Sequence, residues 1–260
     1  MRSFWKDSAA VSAGVSAAQS LLVTLDFDGT LAALAETPSG ASLRPEFKAA
    51  LRKLAAAPGV RVFILSGRAL EDVKRLVGLR NLYYGGNHGM EIKGPGFSSR
   101  DAQGAKTRGL VAGIAAEIQQ RFPPGTGVLV ENKGFSASVH YRNLKAAYKR
   151  GFFSRMKALT SAPSAALHWR RGHKVFELLP RGAAHKGDAV SGLAARLGIA
   201  FGVAVGDDLT DEDMFRALKG RGISVRVGRK AGSEAGYFVS DQAQVLRLLL
   251  YISAIRLGGY

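Results

Sequence analysis

The 260-residue chain contains no cysteine. That absence excludes disulfides, cysteine-ligated zinc, iron–sulfur clusters and a thiol nucleophile, and it suits a reducing compartment. Acids are scarce: 20 Asp and Glu stand against 37 Lys and Arg, a net charge of +17. A surplus of that size favours an anionic partner, whether nucleic acid, acidic lipid or a phosphorylated small molecule. No apolar run reaches the ~20 residues that span a bilayer. The opening MRSFWKDSAAVSAGVSAAQS also lacks the roughly 7–15-residue apolar core of an export signal. Residues 1–20 therefore read as a loosely ordered terminus of a cytoplasmic protein, with no membrane partner. Wholesale disorder is excluded by a 47% hydrophobic and 22% charged composition.

The chain is organised in three stretches. LLVTLDF (21–27) and VRVFIL (60–65) are apolar, β-branched runs of strand length, and 82–85 is a third short one. Helices fit between and after them, at 45–56 with Pro45 in its first turn and near 70–77. This alternation predicts a parallel sheet with crossover helices. The rhythm changes at GPGFSSRDAQG (94–104), which looks like a boundary. A helix over 105–121, paired strands at 127–133 and 135–142, a helix over 144–158 and strands near 166–170 and 173–179 follow, giving αββαββ. After Pro180 the first rhythm returns, with a helix at 186–197 and strands at 200–205, 222–227 and 237–239. The fold class is thus α/β. A doubly wound, Rossmann-like core (21–90 and 181–260) carries an inserted α+β domain (91–180). The insertion holds 15 Lys and Arg against 5 acids, more than half of the chain's positive excess.

Four strings carry chemistry. Asp26-Phe27-Asp28-Gly29-Thr30-Leu31 follows the first strand directly, where open α/β sheets bind ligands. Carboxylate oxygens there suit Mg²⁺, and an aspartate neutralised by such an ion can attack phosphorus. Gly29 allows a tight turn that exposes backbone N–H groups to a phosphate. The second string, Gly206 to Asp213 (GDDLTDED), places five acids in seven positions, which repel one another unless neutralised. N-capping of a helix accounts for some of them, but not for Asp207 and Asp208 at a strand tip. The third is Ser66-Gly67-Arg68, a hydroxyl and free N–H groups at a strand-to-helix turn. The fourth is Lys186-Gly187 at a helix start, where a lysine offers phosphate a point charge.

Together these strings resemble the motifs of the haloacid dehalogenase superfamily, in that superfamily's order, with the insertion placed as in members with an α/β cap. GDDLTDED, Tyr84–Gly89 (YGGNHG), and Glu131-Asn132-Lys133 followed by His140 and Arg142 look more narrowly like the trehalose-6-phosphate phosphatase family. The resemblance covers about residues 21–250. It implies that Asp26 is the nucleophile and Asp28 the general acid/base. Thr30, Ser66, Gly67 and Lys186 would hold the phosphoryl group. Mg²⁺ would sit among Asp26, Asp28, Asp207, Asp208 and Asp211. Arg68, His88, Glu131, Lys133, His140, Arg142, His173 and Glu177 would contact a sugar phosphate. Glu131 with Lys133, and His140 with Arg142, share strand faces by the period of two.

One departure stands out. The family's lysine after the glycine of its last cap strand is replaced here by His173, in Gly172-His173-Lys174-Val175-Phe176-Glu177. Histidine is shorter and mostly neutral at pH 7. The sequence accordingly leaves open a related substrate, namely sucrose phosphate, mannosyl-3-phosphoglycerate or a hexose phosphate. More distantly it leaves a basic nucleic-acid-binding protein, although that alternative explains neither acidic string and no nucleic-acid partner is expected. The five histidines show no zinc spacing. A monomer is favoured.

Overall fold

A strand buried on both faces has to be apolar at every position, and Leu21–Asp26 meets that demand up to its terminal acid. The computed structural model describes residues 1–34, 40–162, 164–172 and 174–259, so His173 lies outside the described residues. The elements run β1 (Arg2–Ser3), α1 (Ser8–Ala17), β2 (Leu21–Asp26), α2 (Pro45–Ala56), β3 (Val60–Leu65), α3 (Leu70–Val77), β4 (Tyr83–Gly86), β5 (Glu91–Gly94) and β6 (Phe97–Arg100). They continue with α4 (Ala102–Arg121), β7 (Leu129–Asn132), β8 (Ala137–His140), α5 (Lys149–Ser161), β9 (Leu167–Gly172) and β10 (Val175–Pro180). The chain closes with α6 (Lys186–Arg196), β11 (Phe201–Gly206), α7 (Glu212–Ala217), β12 (Gly222–Val227), β13 (Tyr237–Val239) and α8 (Gln242–Arg256).

Two compact units result: Met1–Ser99 with Ala184–Tyr260, and Arg100–Ala183. In the first, nine strands form one sheet in the order β1-β13-β12-β11-β2-β3-β4-β5-β6. The pairs from β1 to β4 are parallel, and β5 joins β4 antiparallel. Alternate residues feed two cores. Leu21, Val23 and Leu25 pack with Leu51 and Leu54 of α2 and Val245 and Leu248 of α8. Leu22, Phe63 and Leu65 pack with Val190 and Leu193 of α6 and Met214 and Phe215 of α7. The side-chain period of two thus splits one strand between two helical layers. β2, β3, β4 and β11 deliver their carboxyl ends to one sheet edge.

The second unit is an antiparallel sheet in the order β7-β8-β10-β9. Val139 and Phe176 pack against Phe152 and Met156 of α5, while Ala137 and Leu178 pack against Val111 and Ala115 of α4. One face is therefore covered. The other carries Glu131, Ser138, Glu177 and Arg170 in a single cross-strand row.

Two expectations are corrected. The stretch 91–100, assigned to the insertion, forms β5 and β6 on the edge of the large sheet. Gly94-Pro95-Gly96 reads as part of a boundary in sequence, but it makes the turn between these strands, with Gly96 at φ +65°. The N-terminus is not loosely ordered. β1 pairs with β13, and Phe4 is fully buried with edge-to-face contacts to Trp5, Tyr237 and Tyr251. Val11 and Val15 of α1 complete the attachment, and Arg256 donates to the carbonyls of Val15, Ala18 and Pro58. The signal was hidden because these few anchors are spread through an Ala- and Ser-rich stretch. Phe4→Ala is expected to lower the urea-unfolding stability of the whole chain by about 3–5 kcal/mol. An unchanged midpoint would mean that the segment contributes nothing to the core.

Candidate active site

Asp26 ends β2 and is 4% exposed. Burying a carboxylate is costly unless it is paired, and the partner is Lys186, the first residue of α6. Its Nζ donates to Asp26 Oδ1 at 2.5 Å and to Asp211 Oδ1 at 2.7 Å. Lys186 is placed there by the local fold. His185 caps the helix by accepting from the amides of Gly187 and Asp188, and the Asp188 carboxylate accepts from the His185 amide. Gly187 lets α6 approach α7, because a Cβ there would lie 2.6 Å from the Asp213 carbonyl oxygen.

The acidic string after β11 separates into different roles. Asp211, fully buried, accepts Lys186 on one oxygen and the amides of Asp207 and Asp208 on the other, at 2.8 and 2.9 Å. Asp207 accepts the Thr30 hydroxyl at 3.0 Å. Asp208 is exposed and caps the short 3₁₀ turn over Leu209–Asp211. Glu212 makes a buried ion pair with Arg226, at 2.8 Å. Asp213 pairs with Arg216 at 2.7 Å.

Asp26, Asp207 and Asp211 each offer an oxygen within 4.8 Å of the others. Three carboxylates share one ammonium there. Burial, reinforced by the charge of Asp211, pushes Asp26 well above the ordinary carboxylate range, with Lys186 pulling back. Burial and Asp211 push Asp207 up to about 6, opposed by the Thr30 hydrogen bond. Burial works against the Lys186 charge, but Asp211 and Asp26 outweigh it and hold the ammonium above its usual range. An all-oxygen set with more negative charge than its surroundings compensate fits a hard divalent cation. Asp28 and Asp208 stand outside this group.

The Asp28 carboxylate is instead gripped by Arg68, whose Nε and Nη2 donate at 2.8 and 2.7 Å. Arg68 is 8% exposed and also donates to Asp72 at 3.1 Å. The Ser66 hydroxyl accepts the Arg68 amide at 3.1 Å, and the Ser66 carbonyl accepts the His88 amide at 2.9 Å. Asn87 and His88 both hold positive φ, +50° and +60°. That conformation brings the His88 ring over Gly67, where a Cβ would lie 2.5 Å from Cε1. The first unit thus gathers Asp26, Thr30, Lys186, Asp207 and Asp211 in one hydrogen-bonded group, and Asp28, Ser66, Arg68 and His88 in another, with Gly67 under the His88 ring.

In the second unit His140 Nε2 meets Glu131 Oε2 at 2.7 Å. Arg170 donates twice to Glu177 Oε2, at 2.9 and 2.7 Å. Arg170 was missed in the sequence, where only the β9–β10 register could have revealed its partner. Two expected strand pairs change. β7 ends at Asn132, whose side chain accepts the Gly134 amide, so Lys133 opens the turn instead of sharing the strand with Glu131. β8 ends at His140, and Arg142 is exposed in the next turn, closed by the Leu144 amide donating to Tyr141.

The fold, with parallel strands bringing carboxylates to one edge around a lysine supplied by a helix start, is shared with a haloacid dehalogenase-like hydrolase of B. subtilis, at a TM-score of 0.57 and 18% identity over 88% of this chain and 98% of that one. The fold matches the C-terminal domain of Candida albicans trehalose-6-phosphate phosphatase, with a TM-score of 0.77 at 22% identity over 95% of this chain and 96% of that one. The Aspergillus fumigatus trehalose-6-phosphate phosphatase gives 0.65 at 26% identity, covering 97% and 99%. The chain belongs to the trehalose-phosphatase family, whose model matches residues 24–243. Among its relatives, a probable trehalose-phosphate phosphatase of Oryza sativa subsp. japonica is 30% identical over 92% of this chain and 67% of its own. The Mycobacterium tuberculosis trehalose-phosphate phosphatase is 37% identical over 79% of this chain, which spans only 53% of that relative's length. No helix among the described residues is long and apolar enough to cross a membrane.

Gly29 joins the two acidic strings. It sits at φ +89°, and a Cβ there would lie 2.2 Å from Asp207 Oδ2. Gly29→Ala is expected to cost at least about 1–2 kcal/mol from its backbone conformation alone, and more from the collision. In a double-mutant cycle read by thermal unfolding, Asp207→Ala should recover the part due to the collision. Strict additivity would show that the contact is not made.

Proposed function

We propose that this chain hydrolyses trehalose 6-phosphate to trehalose and phosphate, the last step of trehalose biosynthesis, in a Mg²⁺-dependent reaction. The observation that carries this reading is the buried Asp26–Lys186–Asp211 contact at the sheet edge, in a chain of the trehalose-phosphatase family. Asp26, Asp207 and Asp211 are the residues that would hold Mg²⁺. When bound, the ion offsets the charge of the carboxylates and of the phosphate, so that two anions can meet.

The residues divide the chemistry as follows. Lys186 donates to Oδ1 of Asp26 and opposes the burial that disfavours its charge, and Oδ2 is the oxygen that attacks phosphorus. The new Asp26 O–P bond forms as the bond from phosphorus to the sugar oxygen breaks. Asp28 protonates that departing oxygen. It then takes a proton from water, whose oxygen attacks phosphorus and releases phosphate with Asp26 restored. Arg68, donating to both of its oxygens, orients the Asp28 carboxylate for these two roles. Thr30, the Ser66 hydroxyl, the Gly67 backbone and Lys186 hold the transferring phosphoryl group, and Arg68 and His88 line its approach. Glu131, His140 and Glu177, on the open face of the second sheet, bond sugar hydroxyls, with Lys133 and Arg142 contributing from adjacent turns. His173, in place of the family's lysine, favours testing related sugar phosphates beside trehalose 6-phosphate.

Asp26→Asn is expected to reduce phosphate release from trehalose 6-phosphate at least about a thousandfold while the circular dichroism spectrum is retained. Activity within a few-fold of the parent would overturn the mechanism. Glu131→Gln removes a charged acceptor worth about 1.5–3 kcal/mol, so KM should rise roughly 10–100-fold. A panel with sucrose 6-phosphate, glucose 6-phosphate and mannosyl-3-phosphoglycerate separates the sugar reading from the catalytic one. Preference for another sugar would keep Asp26 and overturn the assigned substrate.

A further inference from the structure

The loop that carries Asp207 is held from behind by a side chain that the reaction itself does not use. β11 ends at Gly206, so the backbone groups of Asp207 and Asp208 leave the sheet ladder. Backbone groups in such a place need other partners. Their amides donate to Asp211. Their carbonyls both accept from Arg226: Nη1 reaches the Asp208 oxygen at 3.1 Å, and Nη2 reaches the Asp207 oxygen. Two side chains, one acid and one base, therefore bond all four backbone groups of this dipeptide.

Arg226 sits in β12 and is 6% exposed. Its orientation is fixed by Glu212, 7% exposed, through a 2.8 Å bond. Glu212 is anchored in turn by the Ser233 hydroxyl at 2.9 Å and by the Glu234 amide at 2.7 Å. A buried ion pair is poor evidence of a stability device, since a well-packed apolar pair often serves as well. An apolar pair cannot give donors to two consecutive carbonyls. A lysine cannot match the fork either, because its ammonium is a compact point charge.

We infer that Arg226, oriented by Glu212, is a positioning residue for the divalent-cation site. It fixes the Asp207–Asp208 backbone so that the Asp207 carboxylate stays within reach of Asp26 and Asp211. This rests on the proposal that those three carboxylates take Mg²⁺. Residues that orient metal ligands from behind commonly change metal affinity roughly 10–100-fold when altered.

The test compares wild type, Arg226→Lys, and the paired variant Arg226→Met with Glu212→Leu, which leaves no buried charge unpaired. Mg²⁺ affinity is measured by isothermal titration calorimetry without substrate. Folding is followed by circular dichroism melts in EDTA, and KM for trehalose 6-phosphate is taken at saturating Mg²⁺. The paired variant should remain folded, bind Mg²⁺ about 10–100-fold more weakly and keep its KM once saturated. Arg226→Lys should fall between it and wild type. A folded paired variant with wild-type Mg²⁺ affinity overturns the inference. So does loss of folding in both variants, which would make the pair a brace for the core. A wild-type chain that binds no Mg²⁺ overturns the reading of the carboxylate cluster, and this inference with it.

Discussion

Lys186 brings one positive charge into a place with three carboxylates and little water. Its ammonium touches Asp26 from β2 and Asp211 from the loop after β11, which come from opposite ends of the core sequence. Coulomb attraction is strong in such surroundings, and so is the cost of leaving either partner alone. The start of α6, the end of β2 and the turn at Asp211 are thereby bound to one another. Helix capping by His185 and the close approach at Gly187 exist in the same place because Lys186 has to be delivered there.

Asp211 extends this constraint to the backbone. It accepts the lysine on one oxygen and two amides on the other, so the position of the acidic loop is tied to the same charge. Gly29 and Gly206 keep the space clear. A Cβ at Gly206 would lie 2.3 Å from the Asp211 carboxyl carbon, much as one at Gly29 would strike Asp207. Charge sets which groups meet, and missing side chains set how closely they meet.

Much of this was legible in the sequence, for reasons that particular residues make clear. β3, β12 and β13 occupy the expected ranges, because each is a short apolar, β-branched run bounded by glycine or polar residues. The chemistry-bearing strings were visible because they sit directly after such runs. What the sequence hid was division of labour among identical letters. The five acids of 207–213 look alike in one dimension, yet Asp207 and Asp211 turn inward, Asp208 caps, Glu212 turns back to Arg226 and Asp213 pairs along its helix. Pairings such as Arg170 with Glu177 and Arg226 with Glu212 depend on register and packing, which no local pattern encodes. The N-terminus reads as loose in sequence because a few large side chains, Phe4, Val11 and Val15, anchor it among many small ones.

The interruption of the core by Arg100–Ala183 also has a bearing on synthesis. β2 can pair with β3, and β3 with β4, as soon as they emerge from the ribosome, but the other edge of β2 belongs to β11, which is made much later. Asp26 meets Lys186 across 160 residues of chain. Contacts of such separation form late, after the entropy of closing the intervening loop has been met. During that interval an open apolar edge must wait, with its acidic end still lacking a counter-charge. The strand pairs of the antiparallel insertion lie within Arg100–Ala183, so all of their residues are made before β11.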